Sequence, residues 1–168
     1  MARVVGKEEA LAALEIHRRE LGPGCVMCAV MARADHRVLV KETSSALVVL
    51  DRFASRAGHL LVIPRNHVER VVALEWPQYA ELQRLAYDAS HAIERVFGPK
   101  RTYVASLGTA NPLAGSYPHL HIHVVPIAED DERARPAAVF SWSAGIVLYE
   151  DDEAAETTAS LRRAWPER

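Results

Sequence analysis

The sequence predicts an α+β domain built on a five-stranded antiparallel sheet, and three observations carry that expectation. Five short runs of aliphatic and β-branched residues recur along the chain, several bounded by Gly, Pro or Ser. One long stretch, 75–97, repeats its apolar residues at spacings of three and four. Two further helical patterns flank the strands near either end. The 168 residues suit one domain with its own core.

In chain order, "KEEALAALEIHRRE" (7–20) places Leu11 and Leu14 at helical spacing, and Gly22-Pro23-Gly24 stops the run. The pair "CVMC" (25–28) follows. "RVLVKE" (37–42) and "ALVVLD" (46–51) read as two strands of a hairpin turning through Thr43-Ser44-Ser45. "HLLVIP" (59–64) is a third strand, opened by Gly58 and closed by Pro64. The long helix carries Trp76, Tyr79, Leu82, Leu85, Ala86, Ala89, Ile93 and Val96 on its apolar stripe. Pro77 falls in its first turn, where a missing N–H costs little, and Gly98-Pro99 ends it. "RTYVASLG" (101–108) is the fourth strand and 119–126 the fifth, joined by a turn-rich loop. A helix over 152–165 closes the pattern.

Composition narrows the class. With 49% hydrophobic and 25% charged residues, the chain reads as a soluble globular protein. A formal charge of −2 offers no basic face for nucleic acid. There is no long uncharged apolar run of the kind that spans a membrane, and no signal-peptide core near the start. The expected location is cytoplasmic, with neither nucleic acid nor membrane as partner. Two cysteines then read as a reduced pair rather than a secreted framework.

"HLHIHVV" (119–125) is the most informative stretch. On a strand, His119, His121 and His123 share one face, while Leu120, Ile122 and Val124 share the other and enter the core. By geometry alone, three such histidines could equally form a polar sheet face turned to water. The isolated His17, His36 and His91 read as ordinary structural or surface residues.

This run resembles the His-x-His-x-His-x-x motif of the histidine-triad (HIT) nucleotide hydrolases and transferases. "DRFASRAGHLLVIPRNH" (51–67) resembles the same family's upstream signature, and "AGSYPH" (114–119) its loop into the triad. The resemblance spans about 25–126 of a single HIT-like domain (1–168), with a variable tail over 127–168. It implies a five-stranded antiparallel sheet with one long helix and helices at both ends, a homodimer, and a small-molecule nucleotide substrate.

The resemblance also implies roles. His121 would attack the α-phosphorus of a dinucleoside polyphosphate or nucleoside phosphoramidate, forming a nucleotidyl-histidine. Imidazole suits that task because it is largely neutral and nucleophilic near pH 7. His123 would stabilise charge beside the phosphate, with His59 as a fourth active-site histidine and His119 completing the triad. Ser116 and Gly115 would donate to phosphate, and the Asp51 carboxylate would accept from the ribose hydroxyls. A nucleotidyltransferase or phosphorylase, or a non-catalytic nucleotide-binding protein, are the alternatives.

By itself "CVMC" could be a redox pair, half a zinc site, or two small buried residues. Zinc-binding members of the superfamily use a Cys-x-x-Cys, the histidine after the Ile-Pro strand and the first triad histidine. Those positions are Cys25, Cys28, His67 and His119 here. Such an ion would be structural, fixing His119 as support for the strand of His121. Three departures are informative. Ser106-Leu107-Gly108 stands where many hydrolytic members carry Asn-x-Gly. Pro118 resembles the uridylyltransferase branch, yet His123 replaces that branch's glutamine and favours hydrolysis. Arg52 occupies a base-contacting position that is often apolar, which leaves the base open. The tail around Trp142 either packs on its own chain or reaches a partner's site.

Overall fold

The computed structural model describes residues 3–108 and 117–167. Its elements are β1 (Arg3–Val5), α1 (Lys7–Leu21), α2 (Val26–Arg33), β2 (Leu39–Glu42), β3 (Ala46–Leu50), β4 (Phe53–Ala54), β5 (Leu60–Pro64), α3 (Trp76–Phe97), β6 (Arg101–Ala105), β7 (Ile122–Ile127), α4 (Pro136–Phe140), β8 (Ile146–Leu148) and α5 (Asp151–Arg163). The five expected strands form one antiparallel sheet in the order β2-β3-β5-β7-β6. A second, three-stranded sheet, β1-β8-β4, is built from segments too short to carry a readable alternation.

The sheet is covered on both faces, so β3 and β5 are buried throughout and read as continuous apolar runs. Val48, Leu60, Val62, Ile122 and Val124 meet Leu82, Leu85, Ala86, Ala89 and Ile93 of α3. On the other face Leu47, Val49, Leu61 and Ile63 meet Met27 of α2. Helix α3 opens with a reciprocal cap: the Gln78 side chain accepts from the Glu75 N–H at 2.9 Å, and the Glu75 carboxylate accepts in return. It ends at Gly98 in the left-handed region, φ 53°. Trp76, expected on the apolar stripe, is instead 73% exposed, with its ring tilted against Tyr79 of the same helix at 5.9 Å. Gly58 is held by sterics: at φ 86°, an added Cβ would lie 2.3 Å from the Phe97 ring.

Two local differences from the sequence expectation shape the site. Helix α2 was hidden in the unbroken apolar run after Cys25, where periodicity gives no signal. Strand β7, expected over 119–126, begins at Ile122 and not at His119. Upstream, Leu120 N–H donates to the Val68 carbonyl at 2.6 Å and His119 N–H to the Tyr117 carbonyl at 2.8 Å, replacing ladder bonds. The three histidines therefore do not share one regular strand face.

Candidate active site and metal-ligand cluster

Each buried imidazole has one nitrogen committed to a fixed partner, and that commitment determines what the other can do. His121 places Nδ1 2.8 Å from the His119 carbonyl, an acceptor only, so Nδ1 carries the proton. Its Nε2 is left as a lone pair. Burial holds this imidazole below its ordinary pKa, opposed by the carbonyl bond and by the Asp51 carboxylate, which keeps the lone pair free at neutral pH.

A second chain of commitments runs through His59 and His123. The Ser55 backbone N–H donates to His59 Nδ1 at 3.2 Å, so the His59 proton resides on Nε2. That nitrogen lies 3.0 Å from His123 Nδ1 and donates to it. The His123 proton is thereby moved to Nε2, which is buried and has no partner among the described residues. His59 is pushed down to about 3, by burial first and the charge of His121 second. His123 is likewise depressed by burial, then by His59 and His121. Both stay neutral across the physiological range. The His121 and His123 rings meet edge to face at 4.7 Å between centroids, which sets an imidazole lone pair beside an imidazole N–H.

Asp51 follows β3. Its Oδ1 accepts from the Phe53 N–H at 2.9 Å, while Oδ2 lies 3.4 Å from His59 Nδ1. Burial pushes the carboxyl up to about 6, against the opposing bond from Phe53. It is ionised at pH 7, with lone pairs left to accept.

These groups floor a cavity of about 460 Å³. Leu14 and His17 of α1, Met27 and Val30 of α2, and Phe140 and Trp142 of the C-terminal segment wall it. The Phe140 ring packs against His123 at 5.5 Å. Trp142 lies at φ 65°, a costly conformation for a bulky side chain and one that clusters at functional sites. The tail thus packs on its own chain and closes its own cavity. His17, an isolated histidine in the sequence, also lines the cavity, tilted against Phe53 at 5.5 Å. No sequence signal marked His17 or Phe140, because a fold brings them here and no spacing does. His91 instead meets Tyr87 of α3 edge to face, with ring centroids 4.5 Å apart. Ser116 and Gly115 lie outside the described residues.

His119 belongs to a different group. Its Nε2 donates to the Pro64 carbonyl at 3.0 Å, leaving the Nδ1 lone pair 3.3 Å from Cys25 Sγ and 3.5 Å from Cys28 Sγ. His67 Nδ1 lies 3.6 Å from Cys28 Sγ. All four ligand atoms fall within 4.8 Å of one another. A tetrahedral ion with Zn–S near 2.3 Å and Zn–N near 2.0 Å needs S···N separations of about 3.5 Å. Two soft thiols and two imidazoles at that spacing fit such an ion. They cluster as a metal site clusters, with the Pro64 carbonyl as the outer support of one ligand. Cys25 also caps α2, its Sγ accepting from the Cys28 N–H at 3.4 Å.

Residues 33–130 match the HIT domain family. An uncharacterized HIT-like protein of Saccharolobus solfataricus is 27% identical over 108 residues, covering 64% of this chain and 76% of that protein. An adenosine 5'-monophosphoramidase of Schizosaccharomyces pombe is 28% identical over 103 residues, covering 61% of this chain and 73% of that enzyme. Among solved structures, a Zn-bound histidine triad family protein from Mycobacterium smegmatis superposes with a TM-score of 0.63 at 21% identity, covering 84% of this chain and 92% of that one. The diadenosine triphosphate hydrolase of Plasmodium falciparum shares the fold at a TM-score of 0.60 and 13% identity, covering 77% of each chain.

Proposed function

The chain belongs to the HIT domain family, and on that premise we propose that it hydrolyses a nucleotide at its α-phosphorus through His121. The single observation that carries this reading is the His119 carbonyl at 2.8 Å from His121 Nδ1, which frees Nε2 as a nucleophile. In the first step Nε2 bonds to phosphorus as the bond to the leaving group breaks. The leaving group takes a proton from solvent, and the His123 Nε2–H supports the phosphoryl oxygens or the departing atom. In the second step water attacks phosphorus and gives a proton back to solvent, the P–N bond breaks, and neutral His121 returns with a nucleoside monophosphate released. Asp51 accepts from the ribose hydroxyls, and Ser116 and Gly115 donate to phosphate. Substrates of this reading are nucleoside phosphoramidates and dinucleoside polyphosphates. The monophosphoramidase relative supports the former.

Zinc held by Cys25, Cys28, His67 and His119 completes the reading. The ion would supply a closed structural crosslink between α2 and the approach to β7. The protein's own contribution to chemistry passes from His119 through its carbonyl to His121. A cytoplasmic location and a homodimer belong to the same proposal, and the outer edge of β6, where Val104 is 48% exposed, supports the dimer. Molar mass in solution tests it.

The test of activity is a nucleotide panel read by mass spectrometry, with wild type and His121→Ala side by side. Nucleoside monophosphate from wild type alone supports hydrolysis. Transfer of the nucleotide to added phosphate in preference to water would reassign the enzyme as a phosphorylase. Nucleotide binding without turnover in the wild type would reduce it to a binding protein.

A further inference from the structure

The cavity lining extends from Asp51 to Arg52, Val38, Arg37 and Arg33, an end that the hydrolytic scheme does not use. The sheet order runs β7, β5, β3, β2, so the β2 edge lies three strand spacings, about 14 Å, from the strand of the histidines. That span suits a nucleoside 5'-phosphate with its phosphorus at His121, its ribose at Asp51 and its base near β2. Three guanidinium groups line this end: Arg33, Arg37 and Arg52.

Each is held rather than loose. Arg33 donates to the Glu20 and Leu21 carbonyls at 2.8 and 3.1 Å, at the C-terminus of α1. Arg37 grips Asp35 through Nε at 2.9 Å and Nη2 at 2.6 Å, and its Nη1 reaches Asp151 Oδ2 at 2.5 Å. The other oxygen of Asp151 takes Arg52 Nη2 at 2.8 Å, and the same nitrogen leans on the Tyr149 carbonyl at 3.4 Å. Asp35, Arg37, Asp151 and Arg52 form a continuous ion chain. It ties the turn after β3 to the first turn of α5, an element outside the family match. Both carboxylates of the chain are spent on guanidinium groups. Arg52 keeps Nε and Nη1 without a partner among the described residues.

We propose that Arg52, set in place by Asp151, makes the site select guanine over adenine. This rests on the nucleotide reading above and extends it to the base. A base reaching the open Nε and Nη1 donors of Arg52 is favoured when it offers acceptors, as guanine does with O6 and N7. Adenine would turn its N6 amino donor toward the same groups. Arg52 is then a substrate-contacting residue and Asp151 a positioning residue.

The experiment compares GMP and AMP by calorimetry, and guanosine and adenosine phosphoramidates by KM, in wild type, Arg52→Ala, Arg52→Lys and Asp151→Asn. Arg52 and Asp151 side chains are 36% and 49% exposed, so all four proteins should fold. Wild type is expected to favour guanine by about tenfold or more, the worth of one hydrogen bond to a charged donor. Arg52→Ala should bring the ratio near one. Asp151→Asn should lower it part-way, and Arg52→Lys should not restore it, because a single ammonium nitrogen lacks the planar fork that holds Asp151 and meets O6 and N7 together. Equal affinity for the two bases in wild type, a preference for adenine, or a ratio untouched by Arg52→Ala each overturns the proposal. Binding separates it from the catalytic reading: guanine-selective binding without turnover keeps this inference and removes hydrolysis, whereas turnover without base preference does the reverse. Failure to bind either nucleotide removes both.

Discussion

The run from His119 to His123 serves two imidazole clusters that differ in almost everything except residue type. His119 faces two thiols and a second imidazole, and its free nitrogen is surrounded by other lone pairs. His121 and His123 face imidazoles, one carboxylate and the Phe140 ring, with no thiol, and their free nitrogens form a lone pair beside an N–H. The first arrangement suits a cation. The second suits a phosphoryl centre, which accepts electrons at phosphorus and protons at its oxygens. What separates them is the partner of the other ring nitrogen: a Pro64 carbonyl in one, a His119 carbonyl and a relay from Ser55 in the other. Two residues of chain turn one chemistry into another.

The sharpest way to break this contrast is to delete the lone pair. His121→Ala should lower turnover by at least about 10³-fold while leaving nucleotide binding measurable, because a nucleophile is not replaced by its neighbours. Cys25→Ser should act on the other cluster alone. Metal content should fall from about one zinc per chain, and metal affinity should drop by more than about 100-fold with a lower Tm. If Cys25→Ser abolished turnover as fully as His121→Ala while metal remained bound, the two clusters would not be separable as described.

Asp51→Asn should come next, raising KM by about tenfold through loss of a charged acceptor for ribose. The smallest effect is the pH profile. Asp51 sits at about 6 in the folded protein, so its acceptor charge is present above that pH and fades below it. Protonation of His121, held below 6.5, removes the nucleophile in the same direction. Thus kcat/KM should be level from pH 7 to 8 and fall below about 6, and Asp51→Asn should remove the Asp51 share of that fall. Stability follows the same sign for His59. Its folded pKa, about 3, lies beneath the unfolded value near 6.5, so its contribution is whole above 6.5 and is lost as pH falls toward 3.

Much of this was legible in the residues themselves. The five sheet strands and α3 announce themselves through apolar runs and a 3.6 period, because tertiary burial and local pattern agree there. The alternation in "HLHIHVV" correctly sends Leu120, Ile122 and Val124 inward. It could not show that the regular strand starts at Ile122, since that depends on Val68 drawing the Leu120 N–H away. Nor could it show the C-terminal wall. Phe140 and Trp142 reach the cavity through β8 pairing with β1 and β4, strands of three and two residues with no pattern of their own. The cysteines illustrate a third case. Their partners are distant in sequence, so spacing alone leaves the pair ambiguous; the family resemblance named His67 and His119, and the fold sets both beside Cys25 and Cys28.

The stereochemical course at phosphorus tests the central claim most directly. A nucleotide made chiral at its α-phosphorus by sulfur and oxygen isotopes would be hydrolysed and the product's configuration read. Two successive displacements, on to His121 Nε2 and off to water, predict net retention. Net inversion would mean that water attacks the substrate itself, and His121 could not be the nucleophile.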